Sequence, residues 1–199
     1  KYEQIDLSSL CKLKNGFAFK SKKFRDNGTP ILRISNIQDG NISTKRIVYA
    51  SQDDYKEDLT KYKIEQGALL IAMSGATTGK VGINHSVNEY YLNQRVGMLV
   101  PSEQLERDFL YYILTTRVEE HLSISVGAAQ PNLSSQQINK IQIPNATRKE
   151  QRIFVKKFNS IEQEINSLKS KIMRKKFELE QLKSVIIAQE LQPQQSDTA

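Results

Sequence analysis

The sequence predicts an α+β chain: a mixed, β-rich globular domain with short helices over residues 1–147, then a long C-terminal coiled-coil helix over 148–191 and a disordered tail over 192–199. Three observations predict it. Short apolar runs bounded by Gly, Pro and Asn fill the first part of the chain, the pattern of strands joined by turns. Between Arg148 and Leu191 there is neither Pro nor Gly, so nothing interrupts a helix of ~60 Å. Along that helix Phe158, Ile165, Ile172, Leu179 and Ile186 form one heptad row and Phe154, Ile161, Leu168 and Leu182 the other, with Lys175 alone breaking the register.

The elements follow in order. Pro30 to Ile37 alternates with a strand period and runs into the turn dipeptide Asp39-Gly40, with Ile42 to Tyr49 as hairpin partner. Gly67 to Met73 is a continuous apolar run, hence a buried strand, and Tyr90 to Val100 reads as one further strand closed by Pro101. The period then changes. Phe109, Tyr112, Ile113, Thr116, Val118 and Leu122 fit an amphipathic helix begun near Glu106, with Gly127 ending the segment that follows it. Ile138 to Ile143 reads as a last short strand, and Pro144 separates the domain from the long helix. The narrow apolar stripe on that helix needs a second helix to cover it, which assigns Phe158, Ile161, Ile165, Leu168, Ile172, Leu179, Leu182 and Ile186 to an interface.

At 199 residues with no membrane-spanning apolar run and no signal-peptide pattern, a soluble cytoplasmic protein without membrane contact is expected. A single cysteine, Cys11, excludes an internal disulfide and a multi-Cys zinc site, and His85 and His121 have no partner at metal-ligand spacing, so neither metal nor cofactor is expected. No catalytic constellation is visible. Ser74-Gly75-Ala76-Thr77-Thr78-Gly79-Lys80-Val81 follows a strand and carries Gly-Lys, but Ser74 stands where a P-loop has Gly and Val81 where it has Ser or Thr. What remains is a Gly-framed loop whose Thr77, Thr78 and Lys80 are candidates to approach a phosphate backbone, or a plain hairpin turn.

The formal charge is +7. Residues 148–191 hold eleven Lys/Arg against six Asp/Glu and residues 1–147 eighteen against fifteen, yet Lys12, Lys14, Lys20, Lys22, Lys23, Arg25 and Arg33 fall within 12–33 with Asp26 as the sole acid. Such a strip beside Asp53, Asp54, Glu57 and Asp58 reads as a polarised surface that suits a polyanion on one side, or as a solvated lysine-rich loop. Arg33, Asn36, Gln94, Arg95, Gln130 and Asn132 have the chemistry for bidentate base contacts, whereas Phe17, Phe19 and Phe24 read as core anchors rather than base-stacking groups.

The motifs in order resemble those of a target recognition domain from type I restriction-modification specificity subunits. They are Gly16-Phe17-Ala18-Phe19-Lys20-Ser21, Pro30 to Ile37 with Gly40, Gly67 to Gly75, Gly79-Lys80, Tyr91-Leu92-Asn93-Gln94-Arg95, Gln130-Pro131-Asn132-Leu133-Ser134, and Ile141 to Pro144 followed by Glu150-Gln151 and Ile153. The resemblance implies a non-catalytic subunit that reads double-stranded DNA for separate methyltransferase (modification) subunits and, through them, a translocase-nuclease subunit. In that family a full subunit carries two recognition domains and two long antiparallel helices. This chain has one of each, so a homodimer or one half of a longer subunit is implied. Two other readings stay open: an oligomeric coiled-coil adaptor with a protein-binding head, and the recognition end of a fused restriction-methyltransferase.

Overall fold

The computed structural model describes residues 2–38, 40–117 and 132–191. Its described part divides into two units, with the boundary between Val155 and Lys156. The α+β expectation is borne out: among the described residues, twelve strands and short helices build the first unit, and one helix runs from Arg148 to Glu190. The first two turns of that helix, through Val155, fall within the first unit. The expected tail over 192–199 lies outside the described residues, as do Val118, His121, Leu122, Gly127 and Gln130.

Six strands form the larger sheet: β2 (Cys11–Asn15), β11 (Val96–Pro101), β8 (Leu69–Ala72), β9 (Val81–Ile83), β5 (Gly40–Ile42) and β4 (Ile37–Gln38), in that spatial order. All neighbours are antiparallel except β5 and β9. A four-stranded sheet runs β6 (Val48–Ala50), β3 (Thr29–Leu32), β10 (Tyr90–Leu92), β7 (Lys63–Ile64). A pair formed by β1 (Gln4–Asp6) and β12 (Gln142–Pro144) ties the start of the domain to its end.

The continuous apolar run of β8 has a simple cause. Leu69 and Ile71 point into a core completed by α1 (Arg107–Thr116) and α2 (Ser135–Asn139), while Leu70 and Ala72 point into a second core with Leu32, Ile37, Leu92 and Val96. Both faces are covered, so no polar alternation is needed. A third cluster gathers Phe19, Ile31, Ala50, Leu59 and Tyr91. Phe17 and Phe19 sit in its aromatic packing, ring centroids 5.0 Å apart, and Phe24 packs at its edge, as core anchors should.

Three expectations are corrected. Tyr90 to Val100 is two strands in two sheets, broken at Asn93, whose side-chain Oδ1 accepts from the Arg95 N–H at 3.2 Å while the Val96 N–H returns to its carbonyl at 2.9 Å. That Asx turn redirects the chain between sheets although apolar residues continue on either side. The hairpin at Asp39-Gly40 keeps only two residue pairs, Ile37 with Ile42 and Gln38 with Asn41, because Val48–Ala50 crosses to β3. Ile138 lies in α2 rather than a strand. Ser134 accepts from the Gln137 N–H and Gln137 accepts from the Ser134 N–H, a capping box that starts a helix there, and only Gln142–Pro144 is extended.

Candidate nucleic-acid interface

The basic strip does not act as one unit. Lys12 and Lys14 alternate on the exposed side of β2, and Lys20 and Lys22 stand exposed around the turn Ser21–Lys23. The other three cations are engaged. Lys23 Nζ donates to the Asp54 carbonyl and lies 4.6 Å from the Tyr55 ring centre. Arg25 Nη2 pairs with Asp54 Oδ1 at 2.7 Å, which holds its guanidinium pKa above the usual value. Arg33 Nη2 donates to the Arg46 carbonyl at 2.9 Å, and its guanidinium sits 5.8 Å from the Phe24 ring centre. Asp54 therefore lies against the strip and offsets its charge, which corrects the picture of an acidic surface set to one side.

Three further candidates are structural. Asn36 is fully buried: its Oδ1 accepts from the Arg33 N–H at 3.0 Å and its Nδ2 donates to the Ser43 carbonyl at 2.8 Å, holding the turn Ile34–Asn36 closed. Thr78 is buried too, its hydroxyl donating to the Gly75 carbonyl at 2.7 Å, and Thr77 donates to the Ile34 carbonyl at 3.0 Å. In the described conformation the loop 74–80 spends both hydroxyls on its own geometry and on the neighbouring turn. Lys80 is half-exposed at its end.

The candidates Gln94, Arg95 and Asn132 converge, together with residues not singled out as candidates in the sequence. Asn15 at the end of β2, Ser74 after β8, Gln94 and Arg95 at the break between β10 and β11, and Asn132, Ser134 and Ser135 leading into α2 line one open cleft of ≈ 630 Å³. Backbone bonds hold these segments together. The Met73 N–H donates to the Arg95 carbonyl at 2.9 Å, the Leu133 N–H to the Met73 carbonyl at 2.7 Å, and the Gln94 N–H to the Phe17 carbonyl at 2.9 Å, while Ser74 and Asn132 form an antiparallel bridge. Gly16 is required beside this junction, because a Cβ there would come within 2.3 Å of the Asn93 carbonyl oxygen. Gln94, Arg95 and Asn132 are exposed, and their side chains make no hydrogen bond to another described residue. The Ser74 hydroxyl is buried at the cleft wall without a hydrogen-bond partner among the described residues. A guanidinium, three amides and three hydroxyls around one concavity offer both donors and acceptors, the chemistry by which base edges are told apart. Gln130 lies outside the described residues. Asn15 and Ser135, which share a hydrogen bond of 3.1 Å in the cleft, were not among the expected site residues, since nothing local distinguishes them.

The described residues that line this cleft include no His, Cys, Asp or Glu. Burial pushes the Cys11 thiol up to about 12, which leaves it unreactive at neutral pH. Among the described residues no group of three His, Cys, Asp or Glu side chains could hold a metal, and no helix is long and apolar enough to cross a membrane.

The long helix presents the other candidate surface. Ile161, Ile165, Leu168, Ile172, Leu179, Leu182 and Ile186 are all exposed, with Ile172 at 67% and Leu168 at 56%, and Phe158 is half-buried.

The chain belongs to the type I restriction modification DNA specificity domain family, whose model matches residues 1–184. It is 27% identical over 189 residues to the type I restriction enzyme MjaVIII specificity subunit of Methanocaldococcus jannaschii, covering 86% of this chain and 44% of that protein. Its fold is similar to a chain in a structure of complex assembly and conformational transition of the type I R-M system (TM-score 0.74, 21% identity, 94% of this chain and 45% of that one). It is also similar to the HsdS subunit from Thermoanaerobacter tengcongensis (TM-score 0.65, 22% identity, 84% and 39%). The chain thus spans less than half the length of these relatives.

Proposed function

We propose that the head is a target recognition domain that reads one half of a split duplex DNA target, and that the long helix is both a spacer and a docking surface for methyltransferase subunits, with a translocase-nuclease subunit joining through them. The head carries no chemistry of its own in this reading; it supplies sequence specificity. Family membership supports the DNA role. The observation that carries the assignment of the face is the convergence of Ser74, Gln94, Arg95 and Asn132, from three separate stretches of sequence, on one cleft. Lys12, Lys14, Lys20 and Lys22 supply phosphate contacts, which position the duplex without reading it.

A second copy of the chain supplies the other recognition domain and the other helix. Two-fold symmetry then makes the two half-sites inverted repeats separated by a gap, too far apart to be read as one continuous site.

Two sets of substitutions test the division of labour on duplexes of known preference. Reversing Lys12, Lys14, Lys20 and Lys22 to Glu should weaken binding to all sequences alike and flatten log affinity against log salt, because phosphate contacts release counterions. Arg95→Ala should instead cost ~10- to 100-fold in discrimination at one base-pair position, the ~1–3 kcal/mol of a bidentate contact, with little change of salt slope. Uniform weakening by Arg95→Ala, or an unchanged slope in the lysine variant, would move the DNA face elsewhere.

A further inference from the structure

The charges flanking the heptad seam carry more information than the seam itself. On the two edges of the apolar rows, Lys157, Glu164, Lys171 and Glu178 line one side and Glu162, Lys169, Lys176 and Lys183 the other. In an antiparallel pair each edge meets the same edge of the partner, so only certain alignments bring opposite charges together.

We infer that the helix pairs antiparallel with a second copy in one charge-selected register, with the two-fold axis between Asn166 and Ser167, so that Ile165 faces Leu168 of the copy. This rests on the self-pairing reading above and deepens it. In that register Glu164 meets Lys171 of the copy, Glu162 meets Lys169, and Lys157 meets Glu178, each pair occurring twice by symmetry. Among these eight edge residues no like charges meet; the cationic match of Arg148 with Lys183 falls at the root of the helix, where Arg148 is already paired with Glu106. Ile161 faces Ile172, and the odd residue of the seam, Lys175, lies opposite Phe158, whose ring face accepts a cation.

Every competing alignment does worse on the same edges. Moving the axis to Ser170 sets Lys169 and Lys171 against themselves and Glu164 against Glu178, leaving Glu162 with Lys176 as the only opposite pair. Moving it half a heptad further opposes Lys169 with Lys176. Moving it the other way, between residues 162 and 164, opposes Glu162 and Glu164 with themselves. A parallel pair stacks Lys175 on Lys175 inside the seam and Lys171 on Lys176 beside it. The alignment on Ser170 does place Leu182 and Ile186 over Phe158 and Phe154 of the copy. Phe154 already packs on Phe109 of its own head with ring centroids 5.2 Å apart, which limits the apolar gain in both alignments, since it faces Ile186 in the one and Leu179 in the other; the edge charges are what separate them. Glu178 pairs with Arg174 at 3.1 Å and with Lys175 at 3.3 Å within the lone helix, so the Glu164 and Lys171 pair is the cleaner probe.

Sedimentation equilibrium of the full chain with Glu164→Lys, Lys171→Glu and the two combined tests the register. Each single reversal turns two attractions into two repulsions and should weaken self-association by roughly tenfold; the combined swap should return it to within about twofold of wild type. The other alignments give different signs: with the axis at Ser170, Glu164→Lys strengthens association, and in the parallel pair Lys171→Glu does. A Glu164→Cys/Lys171→Cys variant provides a second readout, an oxidised covalent dimer, and the buried Cys11 thiol stays out of that reaction. Strengthening by either single reversal, or singles that weaken with no rescue by the swap, overturns the register while leaving self-association standing. A wild type that stays monomeric at tens of micromolar overturns self-pairing itself, and the DNA reading of the head is then still judged by its own experiment.

Discussion

Phe154 and Leu168 occupy the same heptad row of one helix, two turns of the repeat apart, and meet opposite surroundings. Phe154 packs edge-on against Phe109 and belongs to the core of the head, whereas Leu168 is 56% exposed. Near the first, the helix is held by polar contacts as well as apolar ones. Gln151 is fully buried, its Oε1 accepting from the Glu106 N–H at 2.7 Å and its Nε2 donating to the Ala146 and Gln104 carbonyls at 2.7 and 3.0 Å. Glu106 in turn pairs with Arg148 at 2.5 Å and Arg152 at 2.7 Å. One pattern of residues thus serves two ends: where the chain's own core covers the stripe it fixes the root of the helix, and where nothing does it remains available for another helix.

The sharpest way to break this contrast is Gln151→Leu, which leaves one buried N–H and two carbonyls unpaired. A loss of about 3 kcal/mol or more is expected in the denaturant unfolding of the head. Leu168→Ala should leave the same transition of the monomer within about 0.5 kcal/mol, because its side chain loses little burial there. A destabilised head in the second variant, or an unaffected one in the first, would erase the distinction.

A smaller effect comes from Glu106→Gln, expected to cost about 1 kcal/mol at neutral pH as two partly exposed ion pairs are lost. The hydrogen bond from Arg152, opposed in part by burial and helped by Arg148, holds the Glu106 carboxyl below its ordinary range. The native state therefore favours the ionised form: the contribution is fully present above the unfolded carboxyl value of about 4.3 and disappears as pH falls through the lower, folded value. The gap between wild type and variant should accordingly begin to narrow as pH falls below about 4.3 and close once pH is below the lower, folded value, measured by urea unfolding across a pH series.

Particular elements explain how far the sequence could be read. The buried strand at Leu69–Ala72 and the helix from Arg148 were legible because burial on both faces and an unbroken heptad leave direct marks in composition. The break at Asn93 was not, since Tyr90–Leu92 and Val96–Pro101 are equally apolar and only a side-chain turn separates them. Charge density over residues 12–33 was visible, but not its partial neutralisation by Asp54, which arrives from a distant turn to meet Lys23 and Arg25. Gln94, Arg95 and Asn132 were legible as chemistry; that they share a cleft depends on sheet topology. Asn36 had the same chemistry and turned out to be a structural residue, because a buried turn needed its amide.

The most direct test of the account is a selection from a randomised duplex pool, run in parallel on wild type and Leu168→Asp, with the mass of each determined by sedimentation. An unpaired charge in the seam should cost ~3–5 kcal/mol of association and leave the variant monomeric. Wild type should then return two short inverted half-sites separated by a fixed gap, and the variant a single half-site of the same sequence with no preferred gap. One continuous, non-palindromic site from the wild-type oligomer, or equal mass and equal target for both proteins, would contradict it.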